Sequence, residues 1–471
     1  MSGYSLIVPE LLVLAVVAWG MFAELLPGRD RGAAWVGAGL MAAAAVAAAL
    51  APAGGELFGG LLSFDATARF ARTGIVALAA LWMLWTAGRG EGRVREAVVL
   101  AALSTLGSML MTEATEIVTL VLALELATMP AYVLIGYRRN RMNGLEGALK
   151  YFLLSMLTTL VMLYGLSFLY GVTGTTRFDA FDLSGAGTLG LLAVVLTYVG
   201  LFAKLSAAPF HYWTPDAYEG SEAWSVAFVS TVPKLAGAVA IVRLTAALSE
   251  TAAGIGVALL AVAGASMVLG NLAALNQDDV RRMMAYSGVA HTGYLLLGVG
   301  TLTAAGFGSA VFYGLAYALP SLGVMLVVAE EGPLVTDLAG LSSRRPMMAW
   351  SIVVMLVSLI GIPPLVGFFG KLYLFVSAVE ANLGGWVLLA VIMSVVSAAY
   401  YLRIVRAMFF AEPLSEAGTE VSIGVAGTAS PTGPRSGAVT AAVAVVACAL
   451  LALALGLAAG PLLGALGAPL G

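Results

Sequence analysis

Residues 348–380 read MAWSIVVMLVSLIGIPPLVGFFGKLYLFVSAVE, and two features of this stretch decide the fold. It is apolar well beyond the roughly 20 residues that cross a bilayer's hydrocarbon, and GIPP interrupts it at 361–364. Proline removes a backbone donor and breaks a helix. Carbonyls freed at membrane depth are tolerated only inside protein or beside water. Lys371 follows the interruption. The pattern predicts a broken transmembrane helix with an ionisable group at the break. Residues 201–215, LFAKLSAAPFHYWTP, repeat the arrangement, with Lys204 ahead of Pro209 and Pro215.

The rest of the chain agrees with a membrane setting. Its 471 residues are 61% hydrophobic and 10% charged, whereas a soluble domain carries about 25% charged residues. A net charge of -3 gives no sign of a nucleic-acid partner. The single cysteine, Cys448, cannot form an internal disulfide. The first apolar run, Ile7 to Leu26, lacks a basic n-region and an A-x-A site, so it reads as a span rather than a cleaved leader. Gly185, Gly187 and Gly190 match the dinucleotide fingerprint as a string, but no strand precedes them and a span follows, so they carry no nucleotide reading.

Hydropathy gives an all-α integral membrane fold of about 14 transmembrane helices. The spans lie near 5–26, 33–53, 70–88, 96–112, 115–137, 147–171, 187–210, 222–248, 252–275, 282–303, 306–329, 348–380, 384–410 and 437–463. With the N-terminus outside, loops after odd spans face the cytoplasm. Those loops or their flanks hold 16 of the 23 basic residues, among them Arg29, Arg93, Arg138, Arg139, Arg141, Arg344, Arg345 and Arg435. The other side holds Arg69, Arg72, Arg177 and Arg243. The positive-inside rule then places both termini outside. Broken spans 7 and 12 run in opposite directions, which is expected of inverted-topology repeats comprising spans 4–8 and 9–13. Four segments follow: residues 1–95 with helices 1–3, 96–248 with the first repeat, 249–411 with the second, and 412–471. The last holds a Ser/Thr/Gly/Pro-rich cytoplasmic linker from Glu412 to Gly437 and helix 14.

Lys204, Lys234 and Lys371 belong to neither surface, and Glu125, in VLALELATMP, is the only acid deep in any span. A charge at mid-bilayer costs at least ~2.5–3.5 kcal/mol, so such groups need partners or a function. Desolvation disfavours a lysine's charged form and a nearby carboxylate restores it. A Glu125–Lys204 pair is therefore a switch: neutralising the glutamate would release the lysine's proton to Lys234 and then Lys371. The two histidines, His211 and His291, fit as neutral relays. Each has a bland counterpart. A buried Glu–Lys pair can be a packing staple, His291 can be a hydrogen-bonded structural residue, and His211 can simply cap the broken helix. Asp216, Glu219 and Glu222 read as caps and loop contacts, Glu10 and Glu24 as interfacial, and the tyrosines as membrane packing and interface belts. One cysteine and two separated histidines cannot build a haem or iron–sulfur site.

At these residues the chain resembles the antiporter-like membrane subunits of respiratory complex I, and among them the N-type subunits of bacterial NADH:quinone oxidoreductase. The resemblance covers nearly the whole chain. It is carried by AKLSAAPFHYWTPDAYEG (203–220), VSTVPKLAGAVAIVRL (229–244), GNLAALNQDDVRRMMAYSGVAHTGYLLLGV (270–299) and GIPPLVGFFGKLYLF (361–375), with PELLVLAVVAWGMFAELL (9–26) and LSFDATARF (62–70) at the start. GSEAWS at 220–225 departs from the Pro-Thr-Pro-like run of relatives.

The resemblance implies proton-carrying roles for Glu125, Lys204, Lys234, Lys371 and His291. It implies proton pumping in the cell inner (plasma) membrane, driven by electron transfer from NADH to a quinone such as ubiquinone in other subunits. It implies no cofactor bound by this chain, with NADH, FMN, iron–sulfur clusters and quinone held elsewhere in the complex. The implied partners are neighbouring antiporter-like subunits, small K/J/A-type subunits, the lipid bilayer and protons. The rival expectations are a subunit of a multisubunit sodium/proton antiporter or of a membrane hydrogenase-type complex, and a scaffold whose charges only fix helix register.

Overall fold

A computed structural model describes residues 3–22, 30–89, 94–137, 142–252, 254–412 and 437–466. Nearly all of them are helical, apart from a small antiparallel pairing of Glu56–Leu57 with Leu62–Ser63. The helices are α1 (Val8–Phe22), α2 (Asp30–Leu50), α3 (Ala66–Ala87), α4 (Val94–Glu113), α5 (Ile117–Ile135), α6 (Met142–Thr173), α7 (Gly187–Leu205), α8 (Trp213–Gly220), α9 (Ala223–Val229) and α10 (Val232–Leu248). They continue with α11 (Ile255–Ala274), α12 (Val280–Val299), α13 (Ala304–Glu331), α14 (Leu341–Arg344), α15 (Pro346–Ile360), α16 (Val366–Glu380), α17 (Gly384–Phe410), α18 (Ala438–Leu457) and α19 (Ala459–Ala465). The linker expected between Glu412 and Gly437 lies outside the described residues except at its two ends, as do Glu24, Arg29, Arg93, Arg138, Arg139, Arg141 and Arg435.

Among the described residues, twelve helices are long and apolar enough to cross a membrane, against about fourteen spans read from the sequence. The difference has local causes. α12 begins on Arg281 and Arg282 and carries His291, which lowers its hydropathy. The expected twelfth span is split into α15 and α16, each 15 residues long.

A helix that is apolar all round belongs in the interior. The most apolar window of α13 is 100% buried and that of α9–α10 is 94% buried, against 33% for α6 and 28% for α17. So α13, α9 and α10 form the axis, while α6 and α17 show Leu153, Leu157, Leu160, Leu388 and Val395 to the surroundings. Small residues let helix backbones meet. A Cβ at Gly107 of α4 would collide with the α5 backbone at Ala127, and one at Gly270 of α11 with the α12 backbone at Ala290.

The first break is displaced from where the sequence predicts it, the second is shorter, and there is an additional one. α7 ends at Leu205 with Ser206 left-handed at φ 61. Pro215 lies inside the first turn of α8, where no backbone donor is needed, so the break expected around Pro209 to Pro215 keeps its length but lies three residues earlier, at 206–212. The exposed α7 carbonyls find donors: Trp213 Nε1 donates to Ala203 O at 3.0 Å and Thr292 Oγ1 to Leu205 O at 2.6 Å. The second break, expected around Gly361 to Gly370, contracts to 361–365, with Gly361 at φ 94. The eighth span, read as continuous, is interrupted at Ser230 and Thr231, and Pro233 sits in the first turn of α10.

Candidate functional site

Each buried lysine stands where a helix is interrupted. Lys204 is in the last turn of α7, Lys234 in the first turn of α10 and Lys371 in the second turn of α16.

Glu125 reaches Lys204 across α5 and α7, with 3.9 Å between Oε1 and Nζ. That is an ion pair without a direct hydrogen bond. The ammonium instead donates to Ser155 Oγ at 2.8 Å, Tyr132 OH at 3.1 Å and Thr128 Oγ1 at 3.3 Å. Tyr132 OH in turn donates to Ser155 Oγ at 2.8 Å. Thr159 donates to Glu125 Oε1 at 3.2 Å, while Oε2 is buried without a protein partner.

Lys234 Nζ donates to Gly288 O at 3.0 Å. The missing side chain at Gly288 makes that approach possible, since a Cβ there would lie 2.8 Å from both Lys234 Nζ and Tyr317 OH. A cavity lined by Thr128, Lys204, Ser206 and Lys234 joins the first lysine to the second. Another, lined by Lys234, Thr292, Tyr313 and Tyr317, joins Lys234 to His291.

His291 Nδ1 lies 2.7 Å from Tyr313 OH, and Nε2 lies 3.2 Å from Tyr401 OH. Tyr401 OH meets Ser287 Oγ at 2.5 Å. The His291 ring is edge-on to Tyr294, whose own face lies 4.9 Å from Lys371 Nζ. Lys371 Nζ donates to Leu359 O at 3.0 Å, Ile360 O at 2.9 Å and Ser394 Oγ at 2.7 Å. The carbonyls orphaned where α15 stops are thus the acceptors for the lysine beyond the break.

The chain of groups runs Glu125, Lys204, Lys234, His291, Lys371. His211 stands apart. It occupies the break before α8, with its ring near Tyr212 and Tyr286 and its Nδ1 unpartnered. The reading of tyrosines as packing and belts fails at Tyr132, Tyr294, Tyr313 and Tyr401, whose hydroxyls or rings line the chain. Only their depth within spans gave a sequence signal.

One end of the bundle is tied by exposed charges. Lys150 pairs with Asp216 and Glu146, both at 2.8 Å, and Arg282 pairs with Asp216 at 3.1 Å and with Glu219. The hydrogen bond from Lys150 holds the Asp216 carboxyl below the usual carboxylate range. Asp216 and Glu219 are thus loop contacts, joining α6, α8 and α12.

Arg72, counted with the outer-side loop charges, is buried, and it pairs with both the buried Glu10 and Glu113. The three lie on α1, α3 and α4, far apart in sequence, and nothing in a linear reading brings them together. Among the described residues no group of three or more His, Cys, Asp and Glu side chains is arranged to hold a metal ion.

Residues 114–397 match the family model described as NADH:quinone oxidoreductase/Mrp antiporter, TM. Over 415 residues the chain is 38% identical to NADH-quinone oxidoreductase subunit N of Rhodospirillum rubrum, covering 83% of this chain and 84% of that protein. The chain belongs to the NADH-quinone oxidoreductase subunit N family. A chain of respiratory complex I from Thermus thermophilus superposes on this subunit N relative with TM-score 0.81 at 33% identity, covering 98% of this chain and 100% of that one. A chain of the Mrp complex from a Dietzia species gives TM-score 0.83 at 22% identity over 99% and 97% of the two chains, a likeness of fold alone.

Proposed function

We propose that this chain is a proton-translocating membrane-arm subunit of NADH:quinone oxidoreductase, and that Glu125, Lys204, Lys234, His291 and Lys371 carry the proton. The observation that carries the reading is the succession of ionisable groups, hydroxyls and two small cavities from α5 to His291, with the Tyr294 ring between His291 and Lys371. Electron transfer from NADH to quinone, with its flavin and iron–sulfur centres, belongs to other subunits. This chain's own residues move protons and meet neighbouring membrane-arm subunits.

In this reading Glu125 holds Lys204 charged. When the carboxylate is neutralised or drawn away, the Lys204 ammonium gives a proton through the adjoining cavity to Lys234. His291, bracketed by the hydroxyls of Tyr313 and Tyr401, passes it toward Lys371. The breaks matter because interrupted helices supply backbone acceptors at membrane depth.

We also place the chain in the inner (plasma) membrane with both termini outside, as the loop charges indicate. Residues 96–248 and 249–411 are two inverted repeats in this reading. The matching glycine contacts support them: Gly107 meets Ala127 and Gly270 meets Ala290, 20 residues apart in each case (127 − 107 and 290 − 270).

The test is Lys234→Ala in the assembled complex. Proton translocation coupled to NADH oxidation is expected to fall severalfold while the amount of assembled complex is unchanged. Wild-type pumping in that variant refutes the reading and returns the buried charges to a scaffold role.

A further inference from the structure

A second buried charge cluster lies outside the lysine chain, where α1 and α3 begin and α4 ends. Arg72 is 0% exposed, Glu113 is 0% and Glu10 is 8%. A single guanidinium nitrogen, Arg72 Nη1, serves every partner: Glu10 Oε1 at 3.0 Å, Leu6 O at 3.0 Å and Glu113 Oε1 at 3.3 Å. Arg72 Nε and Nη2, Glu10 Oε2 and Glu113 Oε2 are buried without partners. Leu6, Leu62 and Phe64 form a separate apolar cluster over the site, and the Phe64 ring centroid lies 4.8 Å from Arg72 Cζ.

Charge counting makes this arrangement unusual for a staple. Two carboxylates against one guanidinium leave a net negative charge out of water, which costs several kcal/mol. Like-charged carboxylates sharing one site do not both ionise. Glu10 Oε1 and Glu113 Oε1 both accept from Arg72 Nη1, at 3.0 and 3.3 Å, so the two carboxyls share one site, and a proton on one of them relieves their repulsion. The charged groups nearby are few. Arg243 of α10 donates to Thr112 O at 2.7 Å and to Asp65 Oδ1 at 2.9 Å, and the Asp65 side chain is 44% exposed.

We propose that Glu10, Arg72 and Glu113 form a proton-holding site on the outward route, storing one proton between the two carboxyls and releasing it past Asp65 to the outer surface. The inference rests on the proton-translocation reading above. Glu113 closes the helix whose Met111 lines the Lys204–Lys234 cavity. Ser108, about 7.5 Å further in along the same helix at 1.5 Å per residue, has a buried, unpartnered hydroxyl. A proton that branches from Lys234 instead of continuing to His291 forms an O–H bond on Glu113 while the O–H bond on Glu10 breaks toward water. The pair therefore carries one proton before and after.

The test uses the assembled complex in membranes with Glu113→Gln and, separately, Glu10→Gln, alongside Lys234→Ala. Glutamine keeps the shape and hydrogen bonding of a protonated carboxyl but cannot pass its proton on. Each glutamine variant is expected to lower pumping severalfold. Infrared spectra of the complex are expected to lose a carboxylic-acid C=O band present in the wild type. Should Glu113→Gln fail to assemble, the less buried Glu10→Gln and the wild-type band decide. Wild-type pumping in the glutamine variants, or spectra in which they remove no such band, overturns the proposal. If Lys234→Ala abolishes pumping at the same time, the lysine chain stands and only this outward site falls. If Lys234→Ala also pumps normally, both readings fall together.

Discussion

The breaks before α8 and before α16 place a lysine at the same kind of feature but surround it differently. At the first, Lys204 faces a carboxylate at 3.9 Å and three hydroxyls. At the second, Lys371 has no acid partner among the described ion pairs. Its three donors go to two carbonyls and a serine, and that serine itself donates to Ile360 O at 3.2 Å. Hydroxyls rotate and can donate or accept, so they satisfy either an ammonium or an amine. Carbonyls only accept, so a neutral Lys371 can serve both only with its two remaining N–H groups, and Ser394 alone can adjust. The first site is thus adjusted by moving a charge, and the second only by changing the lysine's own protonation. In the proposed relay, a switch at one end and a fixed cradle at the other set a direction.

The sharpest way to break this comparison is Lys371→Met. It removes the proposed proton carrier and orphans the Leu359 and Ile360 carbonyls, each hydrogen bond to a charged group being worth about 1.5–3 kcal/mol. Pumping by the assembled complex is expected to fall to about a tenth of wild type or less, and its thermal stability to drop as well. If Lys371→Met pumps normally while Lys204→Met does not, the second cradle is structural and the relay ends before it.

A smaller effect is expected at the switch, where the two partners act as a unit. Glu125→Gln and Lys204→Met should each lower pumping severalfold, and the double variant should do no worse than the worse single. Contacting residues of this kind show interaction energies of about 0.5–3 kcal/mol. Additive losses, measured as proton translocation at equal complex content, would mean that the two side chains act separately despite the 3.9 Å between them.

The sequence exposes the ionisable members of this relay and hides its solvent. Lys204, Lys371 and Glu125 announce themselves because a charge within an apolar run is costly and rare. Prolines at 209, 363 and 364 mark the two outer breaks. The break at Ser230 was marked only by Pro233, which a helix accepts in its first turn, so it passes for part of a continuous span. Tyr132, Tyr313 and Tyr401 look like any membrane tyrosine until the fold turns their hydroxyls onto Lys204 and His291. Arg72 reads as a surface charge because it lies near a span end. Its burial depends on α1 and α4 each contributing a carboxylate from 62 and 41 residues away.

His211 gives the smallest effect and tests where the relay begins. It occupies the break that follows Lys204, yet its ring faces Tyr212 and Tyr286 at 5.2 and 6.5 Å rather than a lysine. Its Nδ1 is buried without a partner, so glutamine in its place leaves no lysine without a hydrogen-bond partner. His211→Gln is expected to keep pumping within about two-fold of wild type, far short of the 10²–10⁴-fold typical of a positioned acid–base group. A loss approaching that of Lys371→Met would instead make the break a point of proton entry. The charges of Asp216, Glu219 and Arg282 just beyond it would then be its mouth, and the two breaks would differ in what feeds them as well as in what surrounds their lysines.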